Sequence, residues 1–298
     1  MDPATDVPAG ARRPSRIFLL GLAVAVVAWI LVIAWSNPTV MAHDVWNGQP
    51  VTAQDARSYY GLDLANLYAG RSNWNEIGAY PYSPAFAQLV WPLDQLPWPV
   101  FVGAWTALLL TAVYLLTGPE LFLLGLAVGG MEIAGGNISL LLALAIVTGF
   151  KRPWTWSLVL LTKITPGIGL LWFWYRGERR HVIRALVATF GIVTLSYLLV
   201  PQAWHDWIAL LQANTGKGGT WAAIPIPLGI RAPAAVALIW WGAKRNQRWV
   251  VPVGSMLALP ALWYGSLSML LAVIPLTTPE ERGRAWARVR HPRGLGRG

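Results

Sequence analysis

Apolar blocks of roughly membrane-spanning length alternate with short basic clusters, and no other feature constrains the fold of this chain as strongly. Arg12, Arg13 and Arg16 precede the first block. Lys151 and Arg152, then Arg176 to Arg184, then Lys244 to Arg248 separate later blocks, and six arginines follow Glu281. Charged residues make up only 12% of the sequence, against about 25% in a soluble domain. There are 19 tryptophans, a residue that concentrates at membrane interfaces. A formal charge of +10 would point to nucleic acid in a soluble protein. Here the charge lies between apolar blocks, which is the positive-inside pattern, so the clusters are read as cytoplasmic and no nucleic-acid partner is expected. With no cysteine, disulfides and thiolate metal sites are excluded. His43, His181, His205 and His291 show no metal-ligand spacing, and neither metal nor cofactor is expected.

The predicted fold class is all-α: a polytopic membrane protein of about eight spans plus a re-entrant helix pair. Residues 1–16 read as a disordered basic N-terminus, 17–276 as a single transmembrane domain, and 277–298 as a basic tail. Both termini are expected in the cytoplasm of a multi-pass cell-membrane protein. Ile17 to Trp35 is the expected first span, which puts an outer loop over 36–96. Pro97 to Leu116 and Leu121 to Ala134 follow, joined by an outer turn over Gly135 to Ser139 to Leu140–Phe150. Trp154 to Tyr175 is flanked by basic residues at both ends, so it must turn back. Pro166 and Gly167 supply the break, with Lys163 near the tip. Later spans are expected over Val182–Val200 and Trp221–Trp241. Val250 to Leu276 is read as two short helices around an outer turn at Pro260 to Gly265.

The chemistry concentrates in the first outer loop. His43, Asp44, Asp55, Asp63 and Glu76 lie there with Tyr59, Tyr60, Tyr68, Tyr80 and Tyr82. Helical composition over Asp55 to Leu67 and after Pro84 predicts short helices in the interface, with tyrosine and tryptophan at headgroup level. A carboxylate here is a candidate general base, and a lysine at membrane depth is functional by default. Lys163 is expected to bind an anionic phosphate as a point charge. Arg231 is a similar case. Glu132 reads as an interfacial carboxylate, and Arg57 and Arg71 as loop charges able to reach phosphate or sugar.

Four segments together resemble the polyprenol-phosphate-sugar-dependent glycosyltransferases of the GT-C superfamily, and among them glycosyltransferase family 87, of the alpha-1,2-mannosyltransferase type. They are Asp55-Ala56-Arg57-Ser58-Tyr59-Tyr60 with Asn66-Leu67-Tyr68-Ala69-Gly70; Tyr80-Pro81-Tyr82-Ser83-Pro84-Ala85-Phe86; Gly136-Asn137-Ile138-Ser139; and Lys163-Ile164-Thr165-Pro166. One segment departs. Where the family often has Pro-x-Ser-Trp-x-His, this chain reads Pro260-Ala261-Leu262-Trp263-Tyr264-Gly265.

The resemblance implies transfer of a hexose, mannose first among candidates, from a polyprenyl-phosphate donor to a lipid-linked or cell-envelope glycan at the outer face. It implies a single inverting displacement with Asp55 as base, the His43–Asp44 pair and Asp63 being the runners-up. With the charges named above included, Lys163, Tyr59, Tyr60, Tyr82, Asn137, Arg57 and Arg231 make up the expected substrate-binding set. Membrane lipids are the remaining partner. A transporter or lipid flippase is the rival reading, since a broken segment with a central lysine also suits an ion path. A non-catalytic scaffold is the third.

The topology has a direct check. Ser72→Cys should react with an impermeant maleimide in intact cells; labelling only after lysis contradicts an outer loop.

Overall fold

A computed structural model describes residues 53–73, 78–214 and 226–277. The expected first span, His43, Asp44, Glu76 and the two terminal segments lie outside the described residues. Among the described residues the chain is helical, with no strand. Two helices are long and apolar enough to cross a membrane by length and composition, Trp98–Gly135 and Arg179–Leu199.

Helix α1, Pro84–Asp94, begins where the sequence predicts. Pro84 sits in the first turn, and the Ser83 hydroxyl caps it by accepting from Phe86 N–H. The same hydroxyl donates to the Leu161 carbonyl at 2.5 Å, which fixes α1 to a segment far away in sequence.

Helix α2, Trp98–Gly135, is two arms rather than one rod. Gly118 has φ 67 and ψ 176, and Pro119 follows, so the ladder breaks there. The arms fold back on each other. A Cβ at Gly125 would lie 2.6 Å from Val113 and 2.7 Å from Thr117, so glycine allows the close approach. At the other end of the hairpin, Trp105 Nε1 donates to the Gly136 carbonyl at 2.7 Å. The two expected segments, Pro97–Leu116 and Leu121–Ala134, are these arms.

Gly136, at φ 71, closes α2 in the left-handed conformation that commonly ends helices. Helix α3, Ser139–Gly149, then runs back for eleven residues, about 16 Å at 1.5 Å per residue. A 3₁₀ turn at Pro153–Thr155 leads to α4, Trp156–Thr162. Lys163 breaks the helix in an extended conformation, with φ −138 and ψ 101. A 3₁₀ segment, Thr165–Leu170, and α5, Leu171–Tyr175, follow.

This stretch doubles back. The Phe150 ring meets Phe173 at 5.0 Å and Trp172 at 5.3 Å, so the chain leaves and returns at one level. The break at Lys163 lies at the opposite end, beside the turn after α2.

Helix α6, Arg179–Leu199, buries only Val182, Ala185 and Ser196. Its Ile183, Val187, Phe190, Leu195 and Leu198 are exposed. Helix α7, Pro201–Asn214, carries Trp204 and Trp207 inward, and the Trp207 indole donates to the Pro81 carbonyl at 3.1 Å. Helix α8, Leu228–Lys244, packs on α9, Val250–Leu257. A turn, a 3₁₀ segment over Tyr264–Ala272 and α10, Val273–Leu276, complete the described chain. The 3₁₀ segment packs against both α2 and α3.

The first outer loop differs from its expectation. A helix over Asp55 to Leu67 is predicted, but only Asp55–Tyr59 is helical, and as a 3₁₀ turn. Tyr60, extended at φ −118, ends it, Gly61 at φ 64 turns the chain, and the Asp94 carboxylate accepts from the Gly61 and Leu62 N–H groups, which keeps them out of a helical ladder. Most of the loop's tyrosines, moreover, are buried in protein rather than free at its surface. Tyr59 and Tyr80 are wholly buried, and the Tyr59, Tyr82, Phe86 and Trp105 rings pack at centroid distances of 4.9–5.6 Å. A covered aromatic cluster gains more from burial than from a wet interface.

Gly136 is the tightest point of this arrangement. A Cβ there would sit 2.7 Å from that of Ala56, at a φ that L-residues rarely adopt. Gly136→Ala should cost about 1–3 kcal/mol, read as a lower melting temperature of the purified protein; an unchanged melting temperature contradicts this packing.

Candidate active site

The site is built on the turn between α2 and α3. Ala53 N–H donates to the Ala134 carbonyl at 2.7 Å, which fastens the loop over 53–73 to the end of the hairpin. Two residues on, the Asp55 Oδ2 accepts from Asn137 Nδ2 at 2.9 Å. The Asn137 Oδ1 is itself engaged by Ile138 N–H at 2.6 Å. The amide is therefore oriented from both sides, and it aims its NH₂ at Asp55. Gly135 leaves room for this, since a Cβ there would stand 3.3 Å from Asp55 Oδ2.

Glu132 lies one turn earlier on α2. Its Oε1 accepts from Ser139 N–H at 2.8 Å and so caps the start of α3, where a helix has unpaired N–H groups and favours a negative charge. The residue is 0% exposed, so the expected interfacial carboxylate is instead a buried one. The hairpin brings its helix end under the 3₁₀ segment that Trp263 precedes and that carries Gly265.

Lys163 comes to the same place from the broken stretch. It is partly buried, and its charge acts on both Asp55 and Glu132. Burial pushes the Asp55 carboxyl above the ordinary carboxylate range; the Asn137 hydrogen bond and the Lys163 charge pull the other way. Two carboxylates, one carboxamide and one ammonium thus converge from three separate stretches of chain: the loop at Asp55, the turn from Glu132 to Asn137, and the break at Lys163.

The remaining expected site residues fall elsewhere. The Tyr59 and Tyr82 hydroxyls bond to each other at 3.1 Å, and both rings are buried behind Asp55. Tyr60 donates to the Leu96 carbonyl, and its ring packs on Trp98 and Phe101. Arg57 lies over the Trp98 ring at 5.4 Å. Arg71 donates to the Tyr60 and Gly61 carbonyls. Asp63 is exposed and bonds to its own turn at Ala65 N–H and Asn66, contacts that hold its carboxyl below the usual range.

Arg231 is buried, and its guanidinium donates to the carbonyls of Ile226, Leu257, Leu259 and Pro260. With its donors committed to backbone, Arg231 fixes the turn that leads into Trp263 and Gly265. The burial of Glu132 within reach of the Lys163 charge is what the sequence reading did not expect. The signal was present: an acid inside an apolar block, just ahead of a Gly-Gly turn.

The described residues thus form a helical protein with ionisable side chains gathered at one end of apolar helices. The model of glycosyltransferase family 87 matches residues 80–288, more than two-thirds of the chain, and the chain belongs to that family. The match takes in Glu132, Asn137, Lys163 and Gly265, and begins after Asp55. No curated protein and no solved structure matches the chain.

Arg231→Lys keeps the charge and loses the fork. It strands buried carbonyls at about 1–3 kcal/mol each, so the melting temperature should fall by about 5–10 °C. An unchanged value would release Arg231 for contact with substrate.

Proposed function

We propose that this glycosyltransferase moves a hexose, mannose first among candidates, from a polyprenyl-phosphate donor to a lipid-linked or cell-envelope glycan. The reading places it in the cell membrane as a multi-pass protein with about eight spans, both termini cytoplasmic and the reaction at the outer face. The observation that carries it is the convergence of Asp55, Asn137 and Lys163 at one end of the apolar helices. The apolar, exposed flank of Arg179–Leu199 suits a lipid-facing helix. Ile164, beside Lys163, is also exposed and would lie along a prenyl chain whose phosphate Lys163 holds.

In this mechanism the Asp55 carboxylate takes the proton of the acceptor hydroxyl. That oxygen bonds to C1 of the sugar from the face opposite the phosphate. The C1–O bond to phosphate breaks, and the electron pair leaves on the polyprenyl phosphate, neutralised by the Lys163 ammonium. Configuration at C1 inverts. A base buried enough to hold its proton more tightly than an ordinary carboxylate is also a stronger proton acceptor when ionised. Asn137 orients Asp55 and favours its ionised form.

Asp55 must be ionised to act, so transfer should fade as pH falls through its raised pKa. Asn137→Ala removes a contact that favours the ionised form. It should move the acidic limb of kcat/KM to higher pH, while Asp55→Asn lowers turnover about 10²–10⁴-fold. The measurement is transfer of labelled sugar from polyprenyl phosphate by purified protein across pH. Near-normal turnover in Asp55→Asn would sink the assignment, and collapse in Asp44→Asn would move the base to the His43–Asp44 pair.

A further inference from the structure

Glu132 has a second oxygen that capping does not explain. Oε1 is held by Ser139 N–H, while Oε2 is buried and has no hydrogen-bond partner. A buried carboxylate oxygen left unpaired is rare in a folded protein and costly to keep. Its surroundings are specific. A Cβ built on Gly265 would lie 2.5 Å from Oε2, and 2.4 and 2.7 Å from atoms of the Trp263 ring. Any side chain at 265 would displace either the carboxylate or the indole. Glycine thus leaves Oε2 its position beside the indole. Arg231 holds the preceding turn, and Lys163 charges the same space.

We propose that Glu132 Oε2 accepts a hydrogen bond from a ring hydroxyl of the transferred hexose, and that glycine at position 265 makes this contact possible. The inference rests on the polyprenyl-phosphate reading above. The donor phosphate is bonded to C1 of its sugar, so a phosphate at Lys163 carries the sugar's hydroxyls toward the other carboxylate that Lys163 faces. Asp55 and Glu132 then divide the work. Asp55, partly exposed on the outer loop, meets the incoming acceptor; Glu132, buried and fixed at the start of α3, reads the sugar. A buried acceptor built for a hydroxyl discriminates strongly against a sugar lacking it, because the oxygen is again left unpaired.

The test is binding rather than turnover, with the full chain in nanodiscs. The probes are a short-chain polyprenyl-phosphate mannose and its 2-, 3-, 4- and 6-deoxy analogues, each competing against the labelled parent. One deoxy analogue should bind the wild-type protein about ten- to a hundredfold more weakly than the parent. In Glu132→Ala that difference should vanish at the same hydroxyl and at no other. Gly265→Ala keeps the carboxylate but crowds it, and should erase the same difference. Persistence of the difference in both variants would overturn the role of Glu132. Equal binding of all five lipids to wild type would overturn it too, and would leave the donor class standing. Failure of wild type to bind any of them would bring down the donor class and this contact together.

Discussion

The hydrogen bond from Asn137 to Asp55 is the contact on which the site depends. It joins the loop that carries Asp55 to the end of a helical hairpin 82 positions away in sequence. Alone, one amide–carboxylate bond contributes only about 1.5–3 kcal/mol. What makes it effective is that both partners are already fixed. Ala53 N–H bonds to Ala134, the Asn137 Oδ1 is occupied by its neighbour's N–H, and the Trp105 indole holds the Gly136 carbonyl. Glycines at 135 and 136 let the loop approach. The aromatic cluster of Tyr59, Tyr82 and Phe86 backs Asp55 from behind. The geometry of the carboxylate therefore follows from packing, with little left to side-chain freedom.

The two ends of the molecule differ in chemistry. At the Asn137 end, carboxylates and a lysine gather around a turn. At the other end, Arg176 lies over Trp172 at 4.7 Å and Arg248 over Phe150 at 5.7 Å, while the Trp172 indole donates to the Gln247 carbonyl. Basic side chains over aromatic rings suit a headgroup level on the side that the positive-inside pattern marks as cytoplasmic. This polarity supports the proposed orientation, with transfer at the opposite face.

Much of this was legible in the sequence because it depends on local signals. The hairpin of α2 follows from apolar run length and a Gly-Pro pair. The break at Lys163 follows from basic flanks and Pro166-Gly167, and the tight turn at Gly136 follows from paired glycines. Asp55 and Asn137 were nominated by family resemblance and Lys163 also by its charge at expected membrane depth, and their convergence is a tertiary fact. Reasoning from composition failed where burial decides. Tyrosines suit an interface and a core equally well by type, so nothing in the sequence said that Tyr59 and Tyr82 would close on each other. Arg231 looked like an anion ligand because its backbone partners lie up to 29 positions away. The burial of Glu132 went unseen because it depends on Ser139 N–H and on the absence of a side chain at Gly265, neither of which a pattern along the chain displays.

In the proposed function the donor is held at the Asn137 end, with its phosphate on Lys163 and its sugar between Asp55 and Glu132. The most direct measurement is an electron cryo-microscopy structure of the full chain with a non-hydrolysable polyprenyl-phosphate mannose analogue bound. The account predicts a phosphate oxygen within about 3 Å of Lys163 Nζ and C1 of the sugar facing Asp55. Phosphate density among Arg176, Arg245 and Arg248, at the opposite end, would contradict it.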